Sequence, residues 1–387
     1  MEKYNGFYKA DIFHKILKKV LEIGAPDLFL VVGNYPVVRD QRDGSLYAIK
    51  RYFGEALNFP SLKRGDTEFF KELMMSQRGV SPGEDLQDFN FSYEIDGIRF
   101  RVNLNRNVRG LGFVLRRIPP KVPTIEELNY TPMAQMRFKA IAREYDRGLI
   151  LVTGPTGCGK STTLAALIQG MRITHHYNII TIEDPIEFVY APQSIDKEFR
   201  LDNIIQREVG LDTSSFYDGL KNALRQNPNA ILVGEIRTEE VMEETLAAAN
   251  AGHLLLGTLH ANDARQAIEQ VVELLPSHKP EEVYKKLANV LVAIISQRLL
   301  PRQDGTGRIP SCEILIRTPT IVGLLQDGQV LGIKESLRGN PDRADEPLSY
   351  FDELHYLVKN KLVSEELATR TSGSIKDMDL ILRGIMK

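Results

Sequence analysis

Residues Gly154-Pro155-Thr156-Gly157-Cys158-Gly159-Lys160-Ser161 read G-x-x-x-x-G-K-S, between an apolar run, Leu149 to Thr153, and a helical stretch, Thr162 to Met171. A strand, a glycine loop and a helix in that order form a phosphate cradle. The glycines let the backbone wrap an anion, while loop N–H groups and the positive end of the helix face the phosphates. In such a loop Lys160 reaches the β and γ oxygens and Ser161 ligates Mg²⁺. The expected nucleotide-binding set is Gly154, Pro155, Thr156, Gly157, Cys158, Gly159, Lys160, Ser161 and Thr162, with ATP and Mg²⁺ as the ligands.

Three more apolar runs follow: Ile179 to Ile182, Ala230 to Val233 and Leu254 to Thr258. Continuous apolar runs separated by helical stretches are how strands buried on both faces of an α/β sheet read. Triphosphate chemistry needs an acid for the Mg²⁺ shell and a group that orients water, both at the carboxyl ends of such strands. Glu235, after the run that closes on Gly234, takes the first role, and Gly234 permits close backbone approach. Ser161 and Glu235 are thus the expected Mg²⁺ residues. Glu183, in the acidic pair that ends at Pro185, is the expected general base or water-positioning group. His260, with Thr258, ends the fourth run and suits a γ-phosphate sensor, whereas His253 precedes that run and reads as a group satisfying backbone. Cys158 lies where a helix N-terminus lowers a thiol pKa, but it reads more simply as a small residue tolerated in the loop.

Upstream the pattern differs. Ile12, Phe13, Ile16, Leu17, Val20 and Leu21 recur at helical spacing, with Asp11 as N-cap and Gly24 as stop. Leu28 to Val32 and Pro36 to Arg39 read as short strands, and Phe89, Phe91, Tyr93 and Ile95 alternate up to Asp96-Gly97. Alternation resumes through Ile98, Phe100, Val102 and Leu104, which specifies a hairpin with Arg99, Arg101 and Asn103 on its other face. Three prolines within residues 118–124 disfavour both helix and central strand. The expected organisation is an N-terminal domain over 1–118, a proline-rich linker over 119–124 and a nucleotide domain over 125–387, since one core rarely exceeds about 250–300 residues. After Gln329 the chain reads mainly as helices, with Leu354, Leu357 and Val358 at helical spacing.

The charge balance, 49 basic against 51 acidic residues, and the lack of tryptophan argue against free nucleic acid as a partner. Cys158 and Cys312 are far apart, which fits a reducing compartment and no tetrahedral zinc site. No stretch approaches the ~20 apolar residues of a spanning helix, so membrane attachment is expected to be peripheral.

Taken together, the phosphate loop, Thr181-Ile182-Glu183-Asp184-Pro185-Ile186-Glu187-Phe188, Val233-Gly234-Glu235-Ile236-Arg237 and Gly252 to His260 resemble, in that order, the boxes of the PilT/PilU branch of the type II/IV secretion ATPases. Gln206-Arg207-Glu208-Val209, Ile295-Ser296-Gln297-Arg298-Leu299, Gly24-Ala25-Pro26-Asp27-Leu28 and Arg99-Phe100-Arg101-Val102-Asn103 extend the resemblance over nearly the whole chain. So does the tail, Phe351-Asp352-Glu353-Leu354 and Leu380-Ile381-Leu382-Arg383-Gly384. The resemblance implies an α/β fold with a RecA-like core, a smaller PAS-like α+β domain at the N-terminus and C-terminal helices. It implies a cytoplasmic homo-hexamer at the inner-membrane face that hydrolyses ATP, acts on a pilus platform protein in twitching motility, and works beside a paralogous ATPase. Arginines of the N-terminal domain would reach the phosphates: Arg101 and Arg116, with Arg109 a weaker third. Such groups contribute on the order of 10³–10⁵ in rate.

One segment departs from the PilT type. Where that type carries Ala-Ile-Arg-Asn-Leu-Ile-Arg-Glu after a Thr-Pro pair, Thr318-Pro319 is followed here by Thr320-Ile321-Val322-Gly323-Leu324-Leu325-Gln326-Asp327, closer to a PilU-like accessory. A secretion motor of the DotB kind shares the boxes, while extension ATPases usually carry a four-cysteine zinc motif that this chain lacks. From other classes, a nucleic-acid translocase would need a basic track. A non-hydrolysing scaffold would not need Lys160, Ser161, Glu183 and Glu235 together.

Overall fold

The computed structural model describes residues 2–40, 45–53, 61–76, 88–118, 121–191, 202–277, 279–382 and 384. Pro119 and Pro120 of the expected linker, and Arg383 of the tail, lie outside them. The chain divides into two compact units, Met1–Lys121 with Asp184–Phe188, and Val122–Glu183 with Val189–Lys387. The short stretch Asp184–Phe188, inside the expected nucleotide domain, therefore groups with the first unit.

The first unit runs α1 (Glu2–Glu22), β1 (Asp27–Val31), β2 (Val37–Arg39), β3 (Leu46–Ala48), α2 (Arg64–Ser76), β4 (Asp88–Ile95), β5 (Ile98–Asn107) and β6 (Gly110–Arg117). Asp11 is not a cap. The helix begins nine residues before it, because residues upstream of the apolar stripe extend a helix without themselves being periodic. Its end is as expected: Gly24 has φ 68°, its N–H donates to the Leu21 carbonyl and that of Ala25 to the Val20 carbonyl, a Schellman closure. Among the described residues the sheet is antiparallel in the order β3-β2-β1-β6-β5-β4. Its β4–β5 turn places Asp96 and Gly97 at φ 50° and 73°, the positive angles a two-residue hairpin requires. Apolar positions of the strands and helices close one core, in which Phe13 stacks on Phe70 with ring centroids 4.7 Å apart.

In the second unit come α3 (Pro132–Glu144), β7 (Gly148–Thr153), α4 (Lys160–His175), β8 (Asn178–Glu183), β9 (Asn203–Glu208), α5 (Phe216–Ala223), β10 (Ala230–Val233), α6 (Glu239–Asn250), β11 (Leu254–Leu259), α7 (Ala264–Glu273), α8 (Pro280–Val290), β12 (Leu291–Pro301), β13 (Arg308–Ile316) and α9 (Pro319–Gln326), with α10 (Ile333–Ser336), α11 (Tyr350–Lys359), α12 (Glu365–Thr371) and α13 (Ile375–Leu382) after them. The sheet order is β13-β12-β7-β11-β10-β8-β9, parallel throughout except for the antiparallel β12–β13 pair. Every residue of β7, β10 and β11 is buried, so covering helices leave these strands no solvated face. The carboxyl ends of β12, β7, β11, β10 and β8 consequently lie along one edge.

Two buried side chains tie the C-terminal part of the chain to α3. Arg137 is fully buried, and its guanidinium donates to the carbonyls of Met133, Asn340, Pro341, Glu346 and Pro347 at 2.7–3.2 Å. The planar five-donor fork lets one side chain organise a segment that has little regular structure of its own. Thr131, the N-cap of α3, accepts the Ala134 N–H and donates to the carboxyl of Glu353 on α11. Burial pushes the Glu353 carboxyl up to about 8.

Candidate functional site

The phosphate loop joins β7 to α4. Gly154, Gly157 and Gly159 have φ 142°, 76° and 93°, angles that favour glycine, and Pro155 to Gly157 and Ser161 are exposed. A Cβ on Gly154 would lie 2.4 Å from the Gln297 carbonyl and 2.7 Å from the Cys158 sulfur, so the first loop position also excludes larger residues by space. Lys160 folds back over the loop, donating to the Gly154 and Pro155 carbonyls at 2.8 and 3.2 Å. Cys158 is buried, and burial pushes its thiol up, the opposite of an activated nucleophile. It packs the loop from below.

Next to β7 lies β11, then β10, then β8, so His260, Glu235 and Glu183 follow one another along the edge, roughly 5, 10 and 14 Å from β7 at ordinary strand spacing. The Glu235 backbone is pinned from both neighbours. Gly234 donates to the Ile182 carbonyl at 2.8 Å, Thr258 Oγ1 donates to the Gly234 carbonyl at 2.7 Å, and Ile236 N–H donates to the Thr258 carbonyl at 3.1 Å. A Cβ on Gly234 would stand 3.0 Å from the Ile182 oxygen, the close approach its sequence position suggested. The Glu235 carboxylate meets His260 Nε2 at 2.7 Å and Arg237 Nε at 2.5 Å, both through Oε1. To donate there, neutral His260 carries its proton on Nε2. Thr258 thus acts on Glu235 through the backbone, and His260 acts on it directly.

Glu183 is half-buried, and its Oε1 accepts from Thr181 Oγ1 at 2.6 Å and Gln206 Nε2 at 3.2 Å. Gln206 in turn accepts the Tyr190 N–H at 3.1 Å. His253 lies at the amino end of β11 with Nδ1 3.2 Å from the Ala248 carbonyl, a backbone-satisfying role away from the edge.

The arginines belong to the first unit, and Arg101 and Arg116 are held there by carboxylates. Arg116 Nε meets Asp27 at 2.8 Å and Arg39 Nε meets the other oxygen of Asp27 at 3.0 Å. The buried Asp27 raises the Arg116 pKa further and orients two guanidinium groups at once. Arg101 pairs with Glu187 at 3.2 Å within the same unit. Arg109 is exposed, 3.4 Å from the Asn34 side-chain oxygen.

Ser161, exposed in the first turn of α4, and the Glu235 carboxylate are hard oxygen donors of the kind Mg²⁺ takes. Such an ion, held by one or two side chains plus phosphate and water, needs no denser site. Among the described residues no group of three or more His, Cys, Asp or Glu is gathered to hold a metal, and no helix is long and apolar enough to cross a membrane.

Sequence reasoning passed over two residues. Asp27 lies at the start of an apolar run, where a lone acid suggests a cap rather than an arginine partner. Gln297 was legible by the signal that found Glu183 and Glu235, polar residues ending an apolar run, here Val292 to Ile295 followed by Ser296-Gln297.

Residues 6–320 match the family described as type II/IV secretion system protein. The type IV pilus retraction ATPase PilT of Pseudomonas aeruginosa is 38% identical over 89% of this chain and 93% of its own length. The type IV pilus ATPase PilU of the same organism is 34% identical over 96% and 91%. A crystal structure of the pilus retraction motor PilT with bound ADP superposes with TM-score 0.78 at 33% identity, covering 94% of this chain and 98% of that one. The Legionella pneumophila ATPase DotB, at 23% identity and TM-score 0.71, shares the fold.

Proposed function

Because the chain belongs to the type II/IV secretion system protein family, we propose that it is an ATP-hydrolysing motor, working as a hexamer at the cytoplasmic face of the inner membrane, that retracts or disassembles type IV pili. The observation that carries this reading is the single strand edge on which the phosphate loop, His260, Glu235 and Glu183 stand in succession. Loop N–H groups and the N-terminus of α4 bind the phosphates, and Lys160 exchanges the Gly154 and Pro155 carbonyls for phosphate oxygens. Glu183 accepts a proton from the attacking water, whose oxygen joins the γ-phosphorus as the bond to ADP breaks. His260, bonded to Glu235, reports whether the γ-phosphate is present. Ser161 and Glu235 would hold Mg²⁺, which would supply neutralisation of phosphate charge there. Arg101 and Arg116 are assigned to the phosphates on the family resemblance.

Identity is slightly higher to PilT than to PilU, whereas the Thr318–Asp327 segment departs from the PilT type. The retraction reading therefore includes work beside a PilT-like paralogue on a shared platform protein. ATP turnover of the intact chain, with Lys160→Ala, Glu183→Gln, Glu235→Gln and Arg116→Ala alongside and mass by light scattering, tests the reading. Hydrolysis by a hexamer, lost in the variants, supports it. An inactive monomer replaces it with a scaffold.

A further inference from the structure

β12 lies beside β7 on the side away from β11, with Ser296 opposite Thr153, so one step further Gln297 stands against the phosphate loop. Its side chain is buried and its Nε2 donates to the Cys158 carbonyl at 2.7 Å. Its own carbonyl is the atom that crowds Gly154, and a Cβ on Gly159 would meet the Nε2 at 3.4 Å. Among the described residues its Oε1 has no hydrogen-bond partner. The amide cannot be turned round, because that would set its oxygen against the Cys158 oxygen.

In a trans peptide the carbonyl and the following N–H point in opposite directions. Holding the Cys158 carbonyl inward therefore turns the Gly159 N–H outward, to the concave side where loop N–H groups meet an anion. Gly159 adopts φ 93°, and glycine rotates between positive and negative φ at little cost, so the loop's own backbone does not fix that direction. A buried amide oxygen without a partner is costly and offsets the bond to the Cys158 carbonyl, and an apolar side chain of the same length would only move the cost, leaving that carbonyl without a donor instead. Gln297 is thus poorly explained by stability and well explained by the loop.

We propose that Gln297 is a positioning residue of the phosphate-binding loop, whose amide presets the Cys158–Gly159 peptide for the phosphates of a nucleoside di- or triphosphate. This rests on the nucleotide-binding reading above. The test uses the intact chain and Gln297→Met, which keeps length and removes the donor, with Gln297→Asn, whose amide falls one methylene short, as the second variant. Calorimetric titration with Mg-ADP is expected to show affinity weakened on the order of tenfold in both, the ratio that ~1.4 kcal/mol gives. KM for ATP rises in parallel and kcat stays within about threefold; without nucleotide Gln297→Met, which trades one orphaned oxygen for another, melts close to the parent, while Gln297→Asn, which leaves both unpaired, melts lower. Parent-like ADP affinity in both variants overturns the inference and leaves the nucleotide reading standing. So does an affinity loss in Gln297→Met matched by a lower nucleotide-free melting temperature, or failure of both variants to fold, since Gln297 would then hold the fold. A parent chain that binds no ADP overturns both.

Discussion

Replacing Glu353 with glutamine should make the chain more stable at pH 8 and change little near pH 4.5. Glu353 is wholly buried between α11 and the start of α3, and its carboxyl is raised to about 8 in the fold against 4.5 in the open chain, first by burial. Below pH 4.5 both states hold the proton and the group favours neither. As pH rises toward 8 the unfolded chain releases its proton while the folded one keeps it, so stability declines by about 1.4 kcal/mol per unit. Above about 8 the loss is complete, on the order of 3–5 kcal/mol. Glutamine cannot ionise and still offers an oxygen to the Thr131 hydroxyl. The gap between Glu353→Gln and parent should therefore widen from pH 5 to 8. With no tryptophan in the chain, urea unfolding is followed by far-ultraviolet circular dichroism at pH 5, 6.5 and 8. A gap that stays constant across that range would refute the argument.

Three further outcomes follow from other contacts. Arg172 is buried with Asp202 as its counter-charge, so Arg172→Met should cost about 3–5 kcal/mol of stability in urea unfolding, with Asp202 left alone in the interior. Arg298 joins the Asn262 carbonyl, two residues after His260, to the Thr371 carbonyl on α12. Arg298→Ala should lower ATP turnover by on the order of 10–100-fold while ADP affinity by calorimetry holds. Cys158 is buried with a raised thiol pKa, so Ellman's reagent should modify it at pH 7.5 far more slowly in the folded chain than in 6 M guanidinium, about a hundredfold or more.

The strands that carry the site were legible because burial on both faces leaves runs such as Ile231-Leu232-Val233 with nothing polar in them. The β4–β5 hairpin was legible because period-two alternation breaks at Asp96-Gly97. The start of α1 was not, since a helix can extend beyond its apolar stripe. β9, Asn203–Glu208, carries only two aliphatic residues and becomes a strand by pairing with β8, a tertiary fact with weak local signal. Glu183 and Glu235 were found as acids at strand ends. The bond from His260 to Glu235 and the grip of Thr258 on Gly234 depend on which strands are neighbours, and sequence order does not state that. β11 comes last of the four yet lies between β7 and β10.

Arg137 has a bearing on how the protein is made. Four of the five carbonyls that receive its guanidinium belong to residues 340–347, as many as 210 positions later in the chain. At about 5–20 residues per second, a ribosome needs roughly 10–40 s to reach them after α3 has been translated. Until they are made, Met133 is the one of these five acceptors already within reach, so this side of α3 is completed late. The phosphate loop and the strands that frame it are all synthesised within this window, so the Arg137 cluster joins the last part of the chain to a part already made.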